Sequence, residues 1–270
     1  MDNRPIGIFD SGLGGLTVLK EIKGLLPGES LVYFGDNGRT PYGTKSRDTV
    51  IKYTLQDIRF LLKHDIKMIV IACNTASALS LEKVKENVDI PVVEVIEPGA
   101  LTGVRNTRSK KIGVIGTTAT INSGAYEKAI KRLDESIQVI SKACPLFVPL
   151  VEEGPAWWEN EVAYKIALEY LSSLKNAEID TLVLGCTHYP LLQKVIASVM
   201  GSEVKLVNSA HEAAKAVKRI MDKNGMRRDE KYKPTYKYYT SDSVEKFEPL
   251  CSAILNSKIN TAEKIDIEKY

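Results

Sequence analysis

Two stretches of the chain share one pattern: Lys67-Met-Ile-Val-Ile-Ala-Cys73-Asn74-Thr75-Ala76 and Asp180-Thr-Leu-Val-Leu-Gly-Cys186-Thr187-His188-Tyr189. Each begins with a short apolar run of branched residues, which is typical of a buried parallel β-strand. A cysteine follows the run directly, and polar residues and a helical pattern come after it. Ligands of open α/β sheets bind beyond the carboxyl ends of the strands. We therefore expect both thiols at such an end, within one functional site.

Strand and helix patterns alternate along the rest of the chain, which predicts the α/β class. Some of these predictions are specific enough to test. They are a strand at residues 90–95, one helix from about residue 120 to residue 134, an extended run at residues 145–151 and a closing helix at Val244–Leu255.

Three landmarks occur twice at similar spacing. Ile6-Gly-Ile-Phe-Asp10-Ser11 is echoed by Ile112-Gly-Val-Ile-Gly-Thr117-Thr118, the loop that carries Asp36 by the segment ending in Glu152, and Cys73 by Cys186. Any α/β protein shows rough echoes, but three in the same order favour an internal repeat. We predict two similar, pseudo-symmetric α/β domains with mostly parallel sheets and an active site at their interface. The predicted domains are residues 1–97 plus 208–270, and residues 98–207.

Composition restricts the class of protein. The 270 residues are 44% hydrophobic and 26% charged, as in globular proteins. No apolar stretch approaches the roughly 18 residues of a membrane span, and the N-terminus lacks a signal-peptide pattern, which predicts a cytoplasmic protein. Four cysteines are too few for a disulfide framework. A formal net charge of +3 gives no reason to expect nucleic acid binding, and the basic residues near 215–237 alternate with acidic ones.

Two thiols that face each other across a carbon atom can invert a stereocentre. One removes a proton from one face while the other returns a proton to the opposite face. Both cysteines precede predicted helices, whose N-termini favour thiolates. A cysteine in an apolar strand can also be a plain core residue, which is the interpretation given to Cys144 and Cys251. Cys186 and His188 could ligate a metal, but the chain has only three histidines and no Cys-x-x-Cys, so no metal is predicted.

Neutral hydrogen-bond donors surround both cysteines in the sequence. Asp10 is followed by Ser11-Gly12-Leu13-Gly14-Gly15, where glycines expose backbone amides before a helix. Asn74, Thr75 and Thr187 lie beside the thiols, whereas the loops directly after the two cysteines contain no arginine. Amides and hydroxyls are therefore expected to bind the carboxylates of a substrate.

These phrases resemble those of glutamate racemases, which belong to the cofactor-independent aspartate/glutamate racemase superfamily. The resemblance covers almost the whole chain and includes Tyr33-Phe34-Gly35-Asp36, Pro41-Tyr42-Gly43, Pro149-Leu150-Val151-Glu152-Glu153-Gly154 and Gly185-Cys186-Thr187-His188-Tyr189-Pro190. It implies that Cys73 acts on the D-glutamate face with help from Asp10, and Cys186 on the L-glutamate face with help from Glu152 and His188. The substrate contacts that it implies are Asp10, Ser11, Tyr42, Gly43, Asn74, Thr75, Thr187 and His188, with Pro41, Thr117 and Thr118 as further candidates.

The resemblance also implies partners and a role. The enzyme would use no cofactor, bind glutamate, form a homodimer as is common in the family, and supply D-glutamate for bacterial peptidoglycan. No lysine lies beside either cysteine, since Lys67 comes six residues before Cys73 (73 − 67), so a Schiff-base mechanism has no obvious anchor. Two alternatives stay open: an aspartate or hydantoin racemase of the same superfamily, and a binding protein that has lost catalysis or contacts a partner through its basic helix.

Overall fold

A computed structural model describes all residues, 1–270, and its ten strands form two sheets. In chain order the strands are β1 (Ile6–Asp10), β2 (Leu31–Gly35), β3 (Met68–Ile71), β4 (Val92–Glu94), β5 (Lys111–Gly116), β6 (Gln138–Ala143), β7 (Thr181–Gly185), β8 (Lys205–Asn208), β9 (Tyr236–Thr240) and β10 (Ala262–Lys264). The α-helices are α1 (Leu16–Leu25), α2 (Arg47–Leu62), α3 (Asn74–Lys85), α4 (Ile96–Asn106), α5 (Thr118–Asn122), α6 (Ala125–Leu133), α7 (Phe147–Glu152), α8 (Glu161–Asn176), α9 (Gln193–Met200), α10 (Ser209–Lys223) and α11 (Val244–Leu255). None of them combines the length and apolar character that a membrane span requires.

The two sheets share one strand order. The six-stranded sheet has the order β10-β9-β2-β1-β3-β4 and the four-stranded sheet the order β6-β5-β7-β8. Every neighbouring pair is parallel. The order β2-β1-β3-β4 therefore recurs as β6-β5-β7-β8, and the predicted α/β class with two similar parallel sheets is confirmed.

Strand register fixes which positions correspond between the halves. Ile6 pairs with Met68 and Ile112 with Thr181, so β3 and β7 are offset by 113 residues (181 − 68), which is also the offset of the two cysteines (186 − 73). Cys73 and Cys186 thus occupy equivalent places after equivalent strands.

The predicted echo of Asp36 was wrong. Ile6 pairs with Leu31 and Ile112 with Val139, so β2 and β6 are offset by 108 residues (139 − 31). The counterpart of Asp36 is therefore Cys144, and Glu152 comes from a helix that the first half lacks.

The central strands are apolar because helices cover both faces of each sheet. Along β1, Ile6 and Ile8 face one apolar core and Phe9 faces the opposite one, as the alternation of side chains in a strand requires. All three are fully buried. Burial of each such side chain contributes about 1.5–3 kcal/mol, so these strands anchor the fold.

Residues 145–151, predicted as extended, instead contain α7 at Phe147–Glu152. Its Pro149 is the third helical residue, where the backbone N–H would have no intrahelical partner, so the proline is tolerated. The strand of this region is β6 at Gln138–Ala143, an edge strand with no fully buried residue. Because β6 lacks an apolar run, its sequence did not indicate a strand.

Two predicted elements differ in extent. The single helix over residues 120–134 is divided into α5 and α6 by Gly124, whose φ of 65° is the left-handed conformation that favours glycine. The strand at residues 90–95 is shorter, at Val92–Glu94. The closing helix has the predicted limits, Val244–Leu255.

The chain crosses between the halves twice, after β4 and after β8. Helix α4 packs on the second sheet through Ile96 and Ala100, and α10 packs on the first through Ala213 and Val217. We propose domains at residues 1–97 plus 208–270 and at 98–207. These boundaries lie within two residues of the starts of α4 at Ile96 and α10 at Ser209, the helices that follow the two crossings.

The basic stretch near residues 215–237 is partly neutralised by its own carboxylates. Lys215 pairs with Glu212, while Lys218 and Arg227 both pair with Asp222.

A buried lysine ties the amino-terminal edge of the first half together. The side chain of Lys67 is 0% exposed, and its Nζ donates to Glu29 Oε2 at 2.6 Å and to the carbonyls of Asp2 and Met226 at 2.8 Å. Burial lowers the pKa of Lys67, but these acceptors satisfy all three of its protons.

We expect Lys67→Ala to lower the free energy of unfolding by about 3–5 kcal/mol, because it leaves the Glu29 carboxylate buried without its cation. Lys83→Ala is the control, since Lys83 pairs with Glu86 on the surface and its loss should cost at most about 1 kcal/mol. Urea unfolding followed by circular dichroism measures both. Equal effects of the two substitutions would contradict the prediction.

Candidate active site

The carboxyl ends of both sheets face a single small cavity. Its volume is about 20 Å³, and both cysteines contact it. The lining residues are Ser11, Thr40, Pro41, Tyr42, Gly43, Cys73, Asn74, Thr75, Thr117, Val148, Cys186, Thr187 and His188. No lysine or arginine is among them. The predicted meeting of two thiols between two α/β units is therefore present in the geometry.

Cys73 follows β3 and caps α3. Its Sγ accepts a hydrogen bond from the Ala76 N–H at 3.4 Å and donates to Ser11 Oγ at 3.4 Å. Burial and the nearby Asp10 carboxylate raise the pKa of Cys73 to about 12. The expectation that the helix N-terminus would make this thiol partly a thiolate was wrong, because the loss of water outweighs the helix. Cys73 is a protonated thiol at neutral pH.

Asp10 ends β1 and lies behind the cavity. Its carboxylate accepts from the Gly12 N–H at 3.1 Å and from Thr187 Oγ1 at 3.3 Å. Burial raises the pKa of Asp10 in spite of these donors. Asp10 is thus a buried acid close enough to Cys73 to influence its proton.

Cys186 follows β7 and has a different neighbour. His188 Nδ1 lies 3.8 Å from Cys186 Sγ, and His188 Nε2 lies 3.0 Å from Glu152 Oε1. Burial alone would lower the pKa of His188, but its contacts with Cys186 and Glu152 outweigh burial and raise that pKa well above the usual value. A protonated imidazole therefore lies between the thiol and the carboxylate. The segment after Cys186 is a 3₁₀ turn at Tyr189–Leu192, and α9 begins only at Gln193.

Hydroxyl groups join the two halves around the cavity. Thr75 Oγ1 lies 2.9 Å from Thr117 Oγ1 and 3.1 Å from Thr120 Oγ1, across the boundary between the halves. Thr17 Oγ1 donates to the Thr187 carbonyl at 3.0 Å. A hydroxyl can both donate and accept and can rotate to a new partner, so these groups can also bind the oxygens of a small anion.

Tyr42 is held in place by a buried charge cluster. Its hydroxyl lies 2.5 Å from Asp36 Oδ2 and 2.8 Å from Asp57 Oδ2, and Arg39 forms ion pairs with both carboxylates. Burial and Asp36 raise the pKa of Asp57 well above its usual range, which keeps a proton in the cluster. Arg39 lies in the same loop as Pro41 and Tyr42 but is used for this support.

The structure brings nearly all the predicted residues together. Asp10 and Glu152 do not line the cavity themselves. Asp10 is hydrogen-bonded to the lining residue Thr187, and Glu152 to the lining residue His188. Thr118 is exposed and does not line the cavity, unlike its neighbour Thr117. Thr40, Val148 and Thr120 were not predicted from the sequence. Thr40 adjoins the Pro41-Tyr42-Gly43 motif, which is the one signal that could have identified it.

No group of three or more histidine, cysteine, aspartate or glutamate side chains is arranged to hold a metal ion. The chemistry available here is that of two thiols, a histidine–glutamate pair, a buried aspartate and neutral donors.

Comparison with known proteins agrees with this chemistry. The family model described as Asp/Glu/Hydantoin racemase matches residues 16–217. The chain therefore belongs to the Asp/Glu/hydantoin racemase family, a class of isomerases that act without a cofactor.

Individual relatives narrow the class to one kind of enzyme. The chain is 51% identical to the glutamate racemase of Geobacter metallireducens, over 98% of this chain and 97% of the relative. Its fold matches the glutamate racemase isoform RacE1 of Bacillus anthracis with a TM-score of 0.94 at 39% identity, over 98% of each chain. It matches the Francisella tularensis glutamate racemase, solved with D-glutamate, with a TM-score of 0.93 at 39% identity, over 100% of each chain. The resemblance predicted from the motifs is confirmed.

Gly14 allows the two halves to meet at the site. A Cβ atom there would lie 2.3 Å from Thr187 Oγ1 and 2.5 Å from His188 Nδ1. We expect Gly14→Ala to displace these groups and to lower kcat/KM by about 100-fold or more, since displacement of about 1 Å is enough for such a loss.

Gly24→Ala is the matched control, because nothing lies within 4 Å of the added atom. It should keep full activity and a slightly higher melting temperature, as alanine is the better helix former. Wild-type activity in Gly14→Ala would contradict the proposed close contact.

Glu152→Gln should shift the titration of His188. The substitution removes the negative charge that favours the imidazolium, so the pKa of His188 should fall and the ring should lose its proton at a lower pH. ¹⁵N NMR of the ring nitrogens measures this, and the chain has only three histidines to assign.

Glu153→Gln is the neighbouring control, since Glu153 is exposed and the carboxylate that pairs with His188 is that of Glu152. An unchanged titration of His188 in Glu152→Gln would show that Glu152 does not set its charge.

Proposed function

We propose that the protein interconverts L- and D-glutamate by a two-thiol proton transfer and supplies D-glutamate for peptidoglycan. The observation that carries this proposal is the pair of cysteines at equivalent positions of two similar sheets, on one enclosed cavity. Equivalent positions in facing halves approach a bound carbon from opposite sides. Two groups placed in this way can remove a proton from one face and return one to the other, which inverts the stereocentre.

The reaction balances without any further reagent. From L-glutamate, Cys186 Sγ in its thiolate form takes the α-proton, so that an S–H bond forms, the Cα–H bond breaks and its electron pair stays on Cα. The Cys73 thiol then gives its proton to the opposite face of Cα, which leaves the sulfur as a thiolate. From D-glutamate the two sulfurs exchange roles.

The surroundings of each sulfur fit one of these roles. Cys73 has a pKa of about 12 and therefore holds the proton that is delivered to the planar intermediate. The imidazolium of His188 places a positive charge beside Cys186, and Glu152 retains that charge. Asp10 is the buried acid on the Cys73 side.

Neutral donors stabilise the carboxylates and the carbanion. The lining offers hydroxyls from Ser11, Thr75, Thr117 and Thr187 and the amide of Asn74. In an enclosed site such fixed dipoles act without competition from water, so they stabilise negative charge at the carboxylate and at Cα. Neither lysine nor arginine is needed for that task.

Glutamate is favoured over other substrates of the family because of the 51% identity to a glutamate racemase over nearly the whole chain. Aspartate and hydantoin racemases share the family model, and they remain the alternative that a substrate panel tests.

Substrate access requires the halves to separate. A volume of about 20 Å³ is enough for roughly one water molecule and too small for glutamate. A larger cavity of about 620 Å³ adjoins the site, with Thr40 and Glu152 on its wall. We expect glutamate to pass through this cavity before the halves close around it.

The first experiment is proton NMR of L- and D-glutamate in heavy water with no added cofactor. The α-proton signal should disappear from both enantiomers as racemisation proceeds. Exchange with aspartate alone would change the substrate and keep the mechanism, whereas no exchange with either amino acid would refute the proposal and favour a binding protein.

Cys73→Ala and Cys186→Ala should each lower kcat/KM for racemisation by at least about 10³-fold. The losses should be equal from both enantiomers, because the two substrates have the same free energy in solution. Polarimetry measures each direction.

Cys144→Ala and Cys251→Ala are matched controls, as both thiols are buried but lie away from the cavity. Retained turnover in either site variant would rule out the two-thiol assignment. The homodimer, the cytoplasmic location and the absence of nucleic acid binding stay predictions from the sequence.

A further inference from the structure

One donor in the cavity has no partner. Asn74 is 2% exposed and lines the cavity, and its Nδ2 forms no hydrogen bond. Buried polar groups are almost always paired in native proteins, so an unpaired donor needs an explanation. A carboxylate oxygen of the substrate would satisfy it.

The other end of the same amide is occupied. The hydroxyl of Tyr126 donates to Asn74 Oδ1 at 2.7 Å, within a buried environment. A side-chain amide has one acceptor end and one donor end, and with Oδ1 bound by the tyrosine the end without a protein partner is the donor Nδ2. Because Asn74 lines the cavity, a negatively charged substrate bound there could supply the missing acceptor.

The Tyr126 ring has little freedom to move. Tyr126 belongs to α6, is 3% exposed and packs in the core of the second half. A Cβ atom on Gly185 would lie 2.9 Å from its Cε2, and one on Gly99 would lie 3.4 Å from its hydroxyl. The ring therefore fits against the residue that precedes Cys186, while its hydroxyl reaches the residue that follows Cys73.

We propose that Tyr126 is a positioning residue, which orients the Asn74 amide so that its Nδ2 donates to a carboxylate of the bound amino acid. The inference rests on the proposed function, since it assumes an amino-acid substrate in the cavity. Without the tyrosine hydroxyl, the amide can turn and present Oδ1 to the carboxylate, which repels it. Because Tyr126 and Asn74 come from different halves, the bond also makes this donor available only when the halves are closed.

Tyr126→Phe tests the proposal, because it removes only the hydroxyl. We expect KM for both glutamate enantiomers to rise about tenfold, with kcat within about threefold of the unsubstituted protein, as expected for a contact used in binding. Tyr238→Phe is the control, since Tyr238 is equally buried but lies in the core of the first half, and it should leave both constants unchanged.

A double-mutant cycle separates positioning from a structural role. In an Asn74→Ala background, Tyr126→Phe should cause no further rise in KM, because the amide it orients is gone. An equal rise with and without Asn74, or no rise in the single variant, would overturn the inference.

Asn74→Asp gives a second test that leaves Tyr126 in place, and it keeps the inference testable if Tyr126→Phe fails to fold. It keeps an oxygen for the tyrosine and replaces the donor with a second oxygen, so KM should rise more than tenfold. An unchanged KM would contradict the assigned orientation. If the unsubstituted protein turned over no amino acid, the proposed function and this inference would both be overturned. If it turned over glutamate and Tyr126→Phe left KM unchanged, only the inference would be overturned.

Discussion

The close contact of Gly14 in one half with Thr187 and His188 in the other sets the geometry of the site. Neither half contains the site by itself, because each supplies one thiol and one side of the donor set. The contact is possible only without a side chain at residue 14, where a Cβ atom would lie 2.3 Å from Thr187 Oγ1. Hydroxyls of Thr17, Thr75 and Thr117 reinforce it across the boundary. Such neutral bonds are modest and exchangeable, which suits the opening proposed for substrate entry.

Two similar halves produce two different thiols. The register makes Cys73 and Cys186 equivalent, but the counterpart of Asp10 is Gly116. Likewise the offset of 113 residues places Thr75 at the position of His188 (188 − 75). One sulfur therefore lies near a buried acid and the other beside a histidine paired with Glu152. The backbone repeat supplies opposed approach to one carbon, and these substitutions within the repeat give each sulfur its own charged neighbours.

Much of the fold could be predicted from local pattern. Strands buried on both faces, such as β1 and β3, consist of continuous apolar runs, which are typical of parallel strands covered by helices. β6 could not be predicted in this way because its side chains are at least partly exposed and its apolar residues neither form a continuous run nor alternate strictly with polar ones. The apolar run at residues 147–151 resembled a strand, yet the segment Phe147–Glu152 forms a helix and joins neither sheet. That decision depended on pairing between distant segments.

The sequence by itself determined which chemical groups the site contains: two cysteines after matching strands, the acid of Asp10, the pair formed by Glu152 and His188, and donors without arginine. Tertiary structure decided their states and their supports. The pKa of about 12 for Cys73 arises from burial, which a helix-capping pattern does not reveal. The hydrogen bond between Tyr126 and Asn74 joins residues that are 52 positions apart in the chain, and the bond between Thr120 and Thr75 joins residues that are 45 positions apart. Burial and such contacts depend on how the two halves pack, and no local stretch of sequence encodes that packing.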